Sequence, residues 1–283
     1  MNVIATPDAP LRQSHHVQAH LAFAKARGRT VLVGQKTPHP FHITRPFHLK
    51  GDPEHMATLY LQSSSGGLYG DDDLVLRLSV GDGASAHVTT QASTIVHAAR
   101  GGQTRQRVHL TLGQNSYLEY LPDPAILFSG AHLSAEVTAD LEEGAQLILC
   151  DSALSHDPEG QRTSFERFAN MLKITGPDGS TVLLDRSDVS GPAWARRTGA
   201  LPVHGVMIVV GAIDARAVAE AITQSLPTGD AKLYSAVSPF PERNLCTCRL
   251  LAADGASFTR AMEMAWRAAR VTLIGTHPET RRK

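Results

Sequence analysis

The chain has 283 residues and a mass of 30.4 kDa, and its 27 Lys and Arg residues balance its 27 Asp and Glu residues. This length allows one large domain or two modest ones. The balanced charge provides no overall field that would attract nucleic acid or an acidic membrane surface. Cys150, Cys246 and Cys248 are too few for a disulfide framework, which favours a reducing compartment.

The sequence contains no run of about 18 apolar residues that could cross a membrane. Its first thirty residues also lack the basic segment, apolar segment and cleavage site of a secretory signal. We therefore expect a cytoplasmic protein without a membrane-spanning segment.

Short runs rich in Val, Leu, Ile and Thr, separated by clusters of Gly, Pro, Asp and Asn, extend from about Arg29 to Val189. This pattern is typical of strands joined by tight turns, and it predicts a β-rich region over residues 1–190. The ten predicted strands are Thr30–Val33, His55–Leu61, Leu74–Val80, Ala86–Thr90, Gln106–Leu112, Tyr117–Leu121, Ala135–Asp140, Gln146–Cys150, Met171–Ile174 and Thr181–Asp185.

A weak internal repeat, with a spacing of roughly thirty residues, runs through this region. Its copies are Val80-Gly-Asp-Gly-Ala, Leu112-Gly-Gln-Asn-Ser, Leu141-Glu-Glu-Gly-Ala and Gly176-Pro-Asp-Gly-Ser. Each copy has the form of a strand, a tight turn and a partner strand, with Gly or Asn where a positive φ is needed. Stacked copies would bury one continuous core. A β-sandwich that reuses hairpin turns is the alternative.

After Gly191 the apolar spacing changes from two residues to the helical period. We predict that Asp214 caps one helix and Ser257 caps a second, with strands before and between them. Residues 191–283 should thus form a β-α-β-β-α portion that packs as one structural unit with the first region. The predicted strands are Val203–Val210, Lys232–Val237 and Asn244–Leu251, and the apolar helix faces carry Val218, Ile222 and Leu226, and Phe258, Met262 and Trp266.

Motifs for catalysis are missing from the sequence. There is neither a phosphate-binding Gly-x-x-x-x-Gly-Lys-Ser/Thr motif nor a Gly-x-Ser-x-Gly nucleophile motif. No spacing supplies a clustered acid/base pair or a tight metal site, so we do not expect an enzyme.

Two sets of residues are weak candidates for metal ligands. Cys246 and Cys248 would point to the same face of a strand and could meet one soft metal ion, although core packing is the alternative. On a helix, His16 and His20 would share a face and could bind nickel transiently, although a solvated surface is the alternative.

Four ordered motifs lie between Gly66 and about Gly144: Ser65-Gly-Gly-Leu-Tyr-Gly-Asp-Asp, Leu78-Ser-Val-Gly-Asp-Gly-Ala-Ser-Ala-His-Val-Thr-Thr-Gln-Ala-Ser-Thr, Leu118-Glu-Tyr-Leu-Pro-Asp-Pro-Ala-Ile-Leu-Phe-Ser-Gly-Ala and Asp140-Leu-Glu-Glu-Gly-Ala. In this order they resemble the UreD/UreH family of urease accessory proteins. The chain departs from the family pattern at Asp123-Pro124-Ala125, where the family usually has Gln-Glu-Thr, and in its C-terminal tail. Any partner contacts that relatives make with those residues are not carried over.

The resemblance implies a mainly β, helix-like stack of two layers with a small α/β portion of about two helices. It also implies a non-catalytic nickel chaperone-type scaffold that assembles with UreF-type and UreG-type accessory proteins and guides nickel into apo-urease. Ni²⁺ would pass through without being stably bound. By motif position, Glu119 and Glu166 are the first candidates for the nickel route, and Asp71 and Asp72 rank below them.

Other carboxylates of the β region, among them Asp140, Asp151 and Asp185, could line a polar path or could simply be solvated. Phe128, Leu133 and Trp194 are candidates for partner-interface anchors, with core burial as the alternative. The competing function is a non-catalytic β-sandwich module that binds a ligand or peptide. It would explain the strands and turns, but not the ordered motifs.

Overall fold

A computed structural model of the protein describes residues 15–49, 51–161 and 163–278. Within these ranges, seventeen strands form two sheets, and three α-helices lie in the C-terminal third. About 50% of the structure is strand and 16% is helix, which confirms the prediction of a mainly β protein. None of the described helices is both long enough and apolar enough to span a membrane.

The strands are β1 (His16–Ala26), β2 (Arg29–Lys36), β3 (Phe41–Ile43), β4 (Met56–Ser63), β5 (Asp73–Val80), β6 (Ser85–Thr90), β7 (Thr94–Val96), β8 (Thr104–Leu112), β9 (Tyr117–Leu121), β10 (Ala125–Leu127), β11 (His132–Leu141), β12 (Gln146–Ser155), β13 (Arg167–Thr175), β14 (Thr181–Ser190), β15 (Val203–Gly211), β16 (Leu233–Phe240) and β17 (Leu245–Ala252). The helices are α1 (Gly191–Thr198), α2 (Ala215–Ser225) and α3 (Gly255–Ile274).

The chain passes repeatedly from one sheet to the other. The seven-stranded sheet has the order β14-β13-β11-β8-β5-β1-β2, and the ten-stranded sheet has the order β16-β17-β15-β12-β9-β6-β4-β3. In the ten-stranded sheet β10 also pairs with β12, and β7 pairs with β10. Neighbours β5, β8, β11 and β13 are parallel, as are β4, β6, β9 and β12. This is the predicted two-layer stack, and its parallel pairing differs from that of the antiparallel β-sandwich alternative.

Three of the four repeat motifs form stacked turns between the sheets. Gly83, Asn115 and Gly144 occupy equivalent positions with φ of 62°, 51° and 73°. The turns bond to one another, since the Gly83 N–H donates to the Gln114 carbonyl at 2.8 Å and the Asn115 N–H donates to the Glu143 carbonyl at 2.9 Å. The repeat therefore reflects real stacking.

The hairpin interpretation is wrong for these three turns, because the strands on either side of each turn join different sheets. It is right for the fourth motif, residues 176–180, which joins β13 and β14 as an antiparallel pair. Both connections need a left-handed residue in a tight turn, so the local sequence does not distinguish them.

Two of the three apolar clusters of buried residues lie on opposite faces of the ten-stranded sheet. One fills the space between the sheets and includes Leu21, Leu78 and Leu118. The other lies beneath α2 and α3 and includes Ile222 and Trp266. Because β15 pairs with β12, the C-terminal portion extends the same sheet as the β-rich region.

The structure corrects two helix predictions. The α3 helix is capped by Asp254, whose Oδ1 accepts from the Ser257 N–H at 2.7 Å, so Ser257 is not the cap. The short helix α1 was not predicted, because its eight residues are too few for apolar periodicity to appear.

Candidate functional site

A cavity of about 520 Å³ lies between the two sheets, a size typical of small-ligand sites. Leu74, Leu76 and Val108 of the seven-stranded sheet supply apolar wall, and Tyr120 and Asp151 of the ten-stranded sheet face them. The cavity extends beside β7 and β10 to the segments that carry the matched Gly-Gly-Leu and Thr-Thr-Gln motifs.

Oxygen-bearing side chains line part of this cavity. They include Thr90, Gln91, Gln106, Asp123 and Asp151. Such oxygen donors suit transient contact with a hydrated divalent ion. Among the described residues, no three His, Cys, Asp or Glu side chains converge closely enough to hold a metal ion.

Asp151 is the most perturbed carboxylate of the cavity. Burial raises its pKa to about 6, the charge of Asp185 adds to this rise, and a hydrogen bond from Asn170 opposes it. The Asp151 carboxylate is thus largely ionised at neutral pH but close to its titration range. Such a shift is typical of a functional group, although structural ion networks also produce shifts.

Asp151 was not ranked among the conduit candidates. The predicted strand stopped at Cys150, whereas β12 continues to Ser155. Alternation along the longer strand places Asp151 on the same inward face as Leu147 and Leu149, and this signal could have identified it.

Glu119 lies on the opposite face of the ten-stranded sheet, beneath α3, and is fully buried. Its Oε1 accepts from the Tyr117 hydroxyl at 2.5 Å and from Arg270 Nε at 2.7 Å. Its Oε2 accepts from Arg270 Nη2 at 2.7 Å and lies 2.6 Å from His87 Nδ1. Burial alone would raise the pKa of Glu119, but the His87 hydrogen bond and the Arg270 charge hold it at about 2.

Arg270 extends this network to the start of the stack. Its Nη1 donates to Asp52 Oδ1 at 2.5 Å, while the Thr58 hydroxyl donates to Asp52 Oδ2 at 2.9 Å. The guanidinium also lies 5.0 Å from the centre of the Trp266 ring. We call Asp52, His87, Tyr117, Glu119 and Arg270 the buried ion cluster; it fastens α3 to the ten-stranded sheet.

The other conduit candidates lie elsewhere. Asp72 is buried and accepts from the backbone N–H groups of His15 and Tyr69, at 2.7 and 2.9 Å, so it fixes the turn before β5. Asp71 is exposed in the same turn. Glu166 is exposed, with its Oε1 3.6 Å from His132 Nδ1. The four ranked carboxylates therefore occupy three separate places, and none lines the cavity.

Two of the three partner-interface candidates belong to the core. Leu133 and Trp194 are 1% and 7% exposed and pack in one apolar cluster, so their side chains are not available as surface anchors. Their apolar surface is covered by the chain's own residues. Phe128 is partly exposed, with its ring between those of His97 and His156 at 5.6 and 5.7 Å.

The weak metal candidates also differ from their predicted settings. Cys246 and Cys248 do share one face of β17, but they are fully buried under the helices, and burial raises the pKa of each thiol to about 12. Protonated thiols are poor metal ligands. His16 and His20 lie on strand β1 and not on a helix, about 13 Å apart, which is too far to share an ion.

Comparison with known proteins places the sequence of this chain in a family. The family model described as "UreD urease accessory protein" matches residues 15–283. A relative from Methylorubrum extorquens (strain PA1), called urease accessory protein UreD 1, is 40% identical over 281 residues, which are 98% of this chain and 94% of the relative. Proteins of the same name from Methylorubrum populi and Pseudomonas syringae pv. syringae (strain B728a) are 41% and 34% identical. Their alignments cover 94% of this chain and 92% and 95% of those proteins, respectively. The chain therefore belongs to the UreD family of urease accessory proteins.

Proposed function

We propose that this protein acts without catalysis in urease maturation, as a scaffold that guides nickel into apo-urease in complex with UreF-type and UreG-type accessory proteins. Family membership supports the link to urease maturation. The observation that carries the nickel part of the proposal is the cavity between the sheets, with the perturbed carboxylate of Asp151 on its wall.

The chemistry of the cavity suits passage better than storage. Carboxylates among neutral oxygen donors attract a hydrated divalent ion, but the residues that line the cavity include no imidazole or thiolate ligand of the kind that binds Ni²⁺ tightly. Asp151 and Asp123 would supply the charge, and Thr90, Gln91 and Gln106 would replace water molecules around the ion. A protected path would keep the ion from competing tight sites in the cytoplasm.

The candidates from the sequence take different places in this proposal. Glu166 and Asp71 are exposed, and we retain them as candidates for the ends of the path. Asp72 and Glu119 already accept several hydrogen bonds within the fold. We assign these two to positioning the turn before β5 and α3, respectively.

The proposal is tested with Asp151→Asn, which removes the charge while retaining an oxygen that can accept from Asn170. Urease activity and urease-bound nickel would be measured in cells that carry the cognate urease operon, at equal levels of apo-urease. We expect both quantities to fall together relative to the parent. Glu220→Gln, which removes the charge of an exposed carboxylate on α2 far from the cavity, is the matched control and should leave both unchanged.

Unchanged nickel loading in Asp151→Asn would remove the cavity from the proposed path. Unchanged loading after deletion of the whole gene would overturn the maturation role itself.

A further inference from the structure

The outer face of the seven-stranded sheet carries a row of basic side chains. Cross-strand pairing places one residue from each of six adjacent strands in register. At about 4.8 Å per strand, the row is about 24 Å long. We call these residues the basic row, in which Thr138 is the one member without a basic side chain: Lys36, His20, Arg77, His109, Thr138 and Lys173, in order from β2 to β13.

The charged members of this row are unneutralised. Lys36, Arg77 and Lys173 are exposed, and none of them forms an ion pair within the described residues. Arg107, on the row next to the basic row, differs because it pairs with Asp73 at 2.5 Å. The basic row therefore presents cations that no carboxylate among the described residues neutralises by an ion pair.

No described helix or strand packs over this face. The helices α2 and α3 contact the ten-stranded sheet, and α1 contacts β14 at one edge. The sheet face is about 24 Å wide along the row. This is similar to the width of a standard protein interface, which covers about 800 Å² per partner. The row is thus a flat positive surface on a chain whose total charge is balanced.

The surroundings of the row favour a protein partner over nucleic acid. Glu136 and Asp140 lie on the same face, on rows directly next to the basic row. These carboxylates would repel a phosphate backbone, which offers only negative charge. A folded protein surface can place its own cations opposite Glu136 and Asp140 and its carboxylates opposite Arg77 and Lys173.

We propose that the basic row binds an acidic surface of a protein partner in urease maturation. The identity of the partner rests on the proposed function, whereas the charge of its surface follows from the row. Opposite charges would fix the orientation of the partner and speed association, and salt would weaken the contact.

The test compares two variants with the same change in net charge. Lys36→Gln, Arg77→Gln and Lys173→Gln together neutralise the row. Arg196→Gln, Arg197→Gln and Arg260→Gln together neutralise three exposed residues on α1 and α3 and serve as the control. The probes are purified cognate apo-urease and the purified cognate UreF-type protein, each titrated with the full-length chain at about 50 mM and about 500 mM salt.

We expect the row variant to bind one of the two probes about tenfold more weakly than the parent at low salt, with the difference shrinking at high salt. The control variant should bind like the parent. A third variant, Lys36→Arg, Arg77→Lys and Lys173→Arg, preserves the charge and should also bind like the parent, which separates loss of charge from loss of folding.

The proposal is overturned if the row variant matches the parent for both probes at both salt concentrations. It is also overturned if the control variant weakens equally, or if the parent binds neither probe. Failure of the proposed function is judged separately, by nickel loading of urease after deletion of the gene. If nickel loading of urease still depended on the gene but binding to the probes did not change with salt, only the proposal for the basic row would be rejected.

Discussion

At the scale of single residues, Glu119 illustrates how a buried carboxylate depends on its partners. Replacing Glu119 by Ala would leave the Arg270 guanidinium buried with only Asp52 as a counter-charge. Removing one partner of a buried ion pair costs about 3–5 kcal/mol, so we expect Glu119→Ala to lower the free energy of unfolding by about this amount at neutral pH. Urea denaturation measures it, and the exposed Glu142→Ala should change stability by less than about 0.5 kcal/mol.

The low pKa of Glu119 also predicts that the free energy of unfolding depends on pH. The pKa of Glu119 is about 2 in the folded protein, against an ordinary value of 4.5, so the unfolded chain binds a proton more readily. The stabilisation is complete above about pH 4.5 and is lost as the pH falls from there towards 2. The stability difference between the parent and Glu119→Gln should therefore shrink over that interval. A difference that is small at neutral pH, or constant down to acid pH, would contradict the anchoring role.

Asp151 should make the stability depend on pH in the opposite direction. Its pKa is raised to about 6 from 3.8, so the folded protein binds the proton more readily and loses stability as the pH rises between these values. We expect Asp151→Asn to unfold at a higher temperature than the parent above about pH 6, with the two midpoints converging towards pH 3.8. Thermal unfolding across this range measures the effect. A variant less stable than the parent at neutral pH would show that the carboxylate is needed for the fold itself.

At the scale of elements, sequence patterns located the strands well where one face is buried. The predicted strand Tyr117–Leu121 is β9 with the same ends, and Leu74–Val80 differs from β5 by one residue. Alternation and turn residues are local signals, so they predicted these strands without tertiary information. The strand β1 was missed because its polar positions include two histidines and its pairing with β2 and β5 is a tertiary property.

The site was less accessible to sequence reasoning than the strands. Glu119 and Arg270 are 151 residues apart along the chain, and only the packing of α3 on the sheet brings them together. The resemblance made Glu119 a candidate for the nickel route by motif position, but it gave no information on the contact of Glu119 with Arg270. Which carboxylates face the cavity depends on strand ends and on which sheet each strand joins, and turn chemistry determines neither.

The packing of α3 on β15 depends on a small residue. A Cβ at Gly205 would lie 2.4 Å from the Phe258 ring of α3 and 2.9 Å from Ser152 Cβ. Overfilling a packed interface costs about 1–3 kcal/mol, so we expect Gly205→Ala to destabilise the protein by this amount in urea denaturation.

The matched control for this helix is Gly255→Ala at the start of α3, where an added Cβ meets nothing within 4 Å. Alanine favours the helix, so the control should be neutral or more stable by up to about 1 kcal/mol. Equal effects of the two substitutions would show that close packing at Gly205 does not position the helix.

At the scale of the whole molecule, the predicted β-rich region of residues 1–190 and the predicted portion of residues 191–283 contribute strands to one sheet. β15 pairs with β12 along its length, so the C-terminal portion continues the ten-stranded sheet. The buried ion cluster joins Asp52, near the start of the stack, to Arg270 in the last helix. Separating the portions would expose one side of β12 and leave buried carboxylates without their cation.

We therefore expect the full chain to unfold in one cooperative step, with calorimetric and van't Hoff enthalpies that agree. A chain of residues 1–190 should give no cooperative transition, because it lacks β15 and Arg270. A chain that ends at residue 278 retains every described strand and helix and should unfold like the full chain. If residues 1–190 alone melted cooperatively, the shared sheet would not be needed for stability. The protein would then consist of two domains that fold independently.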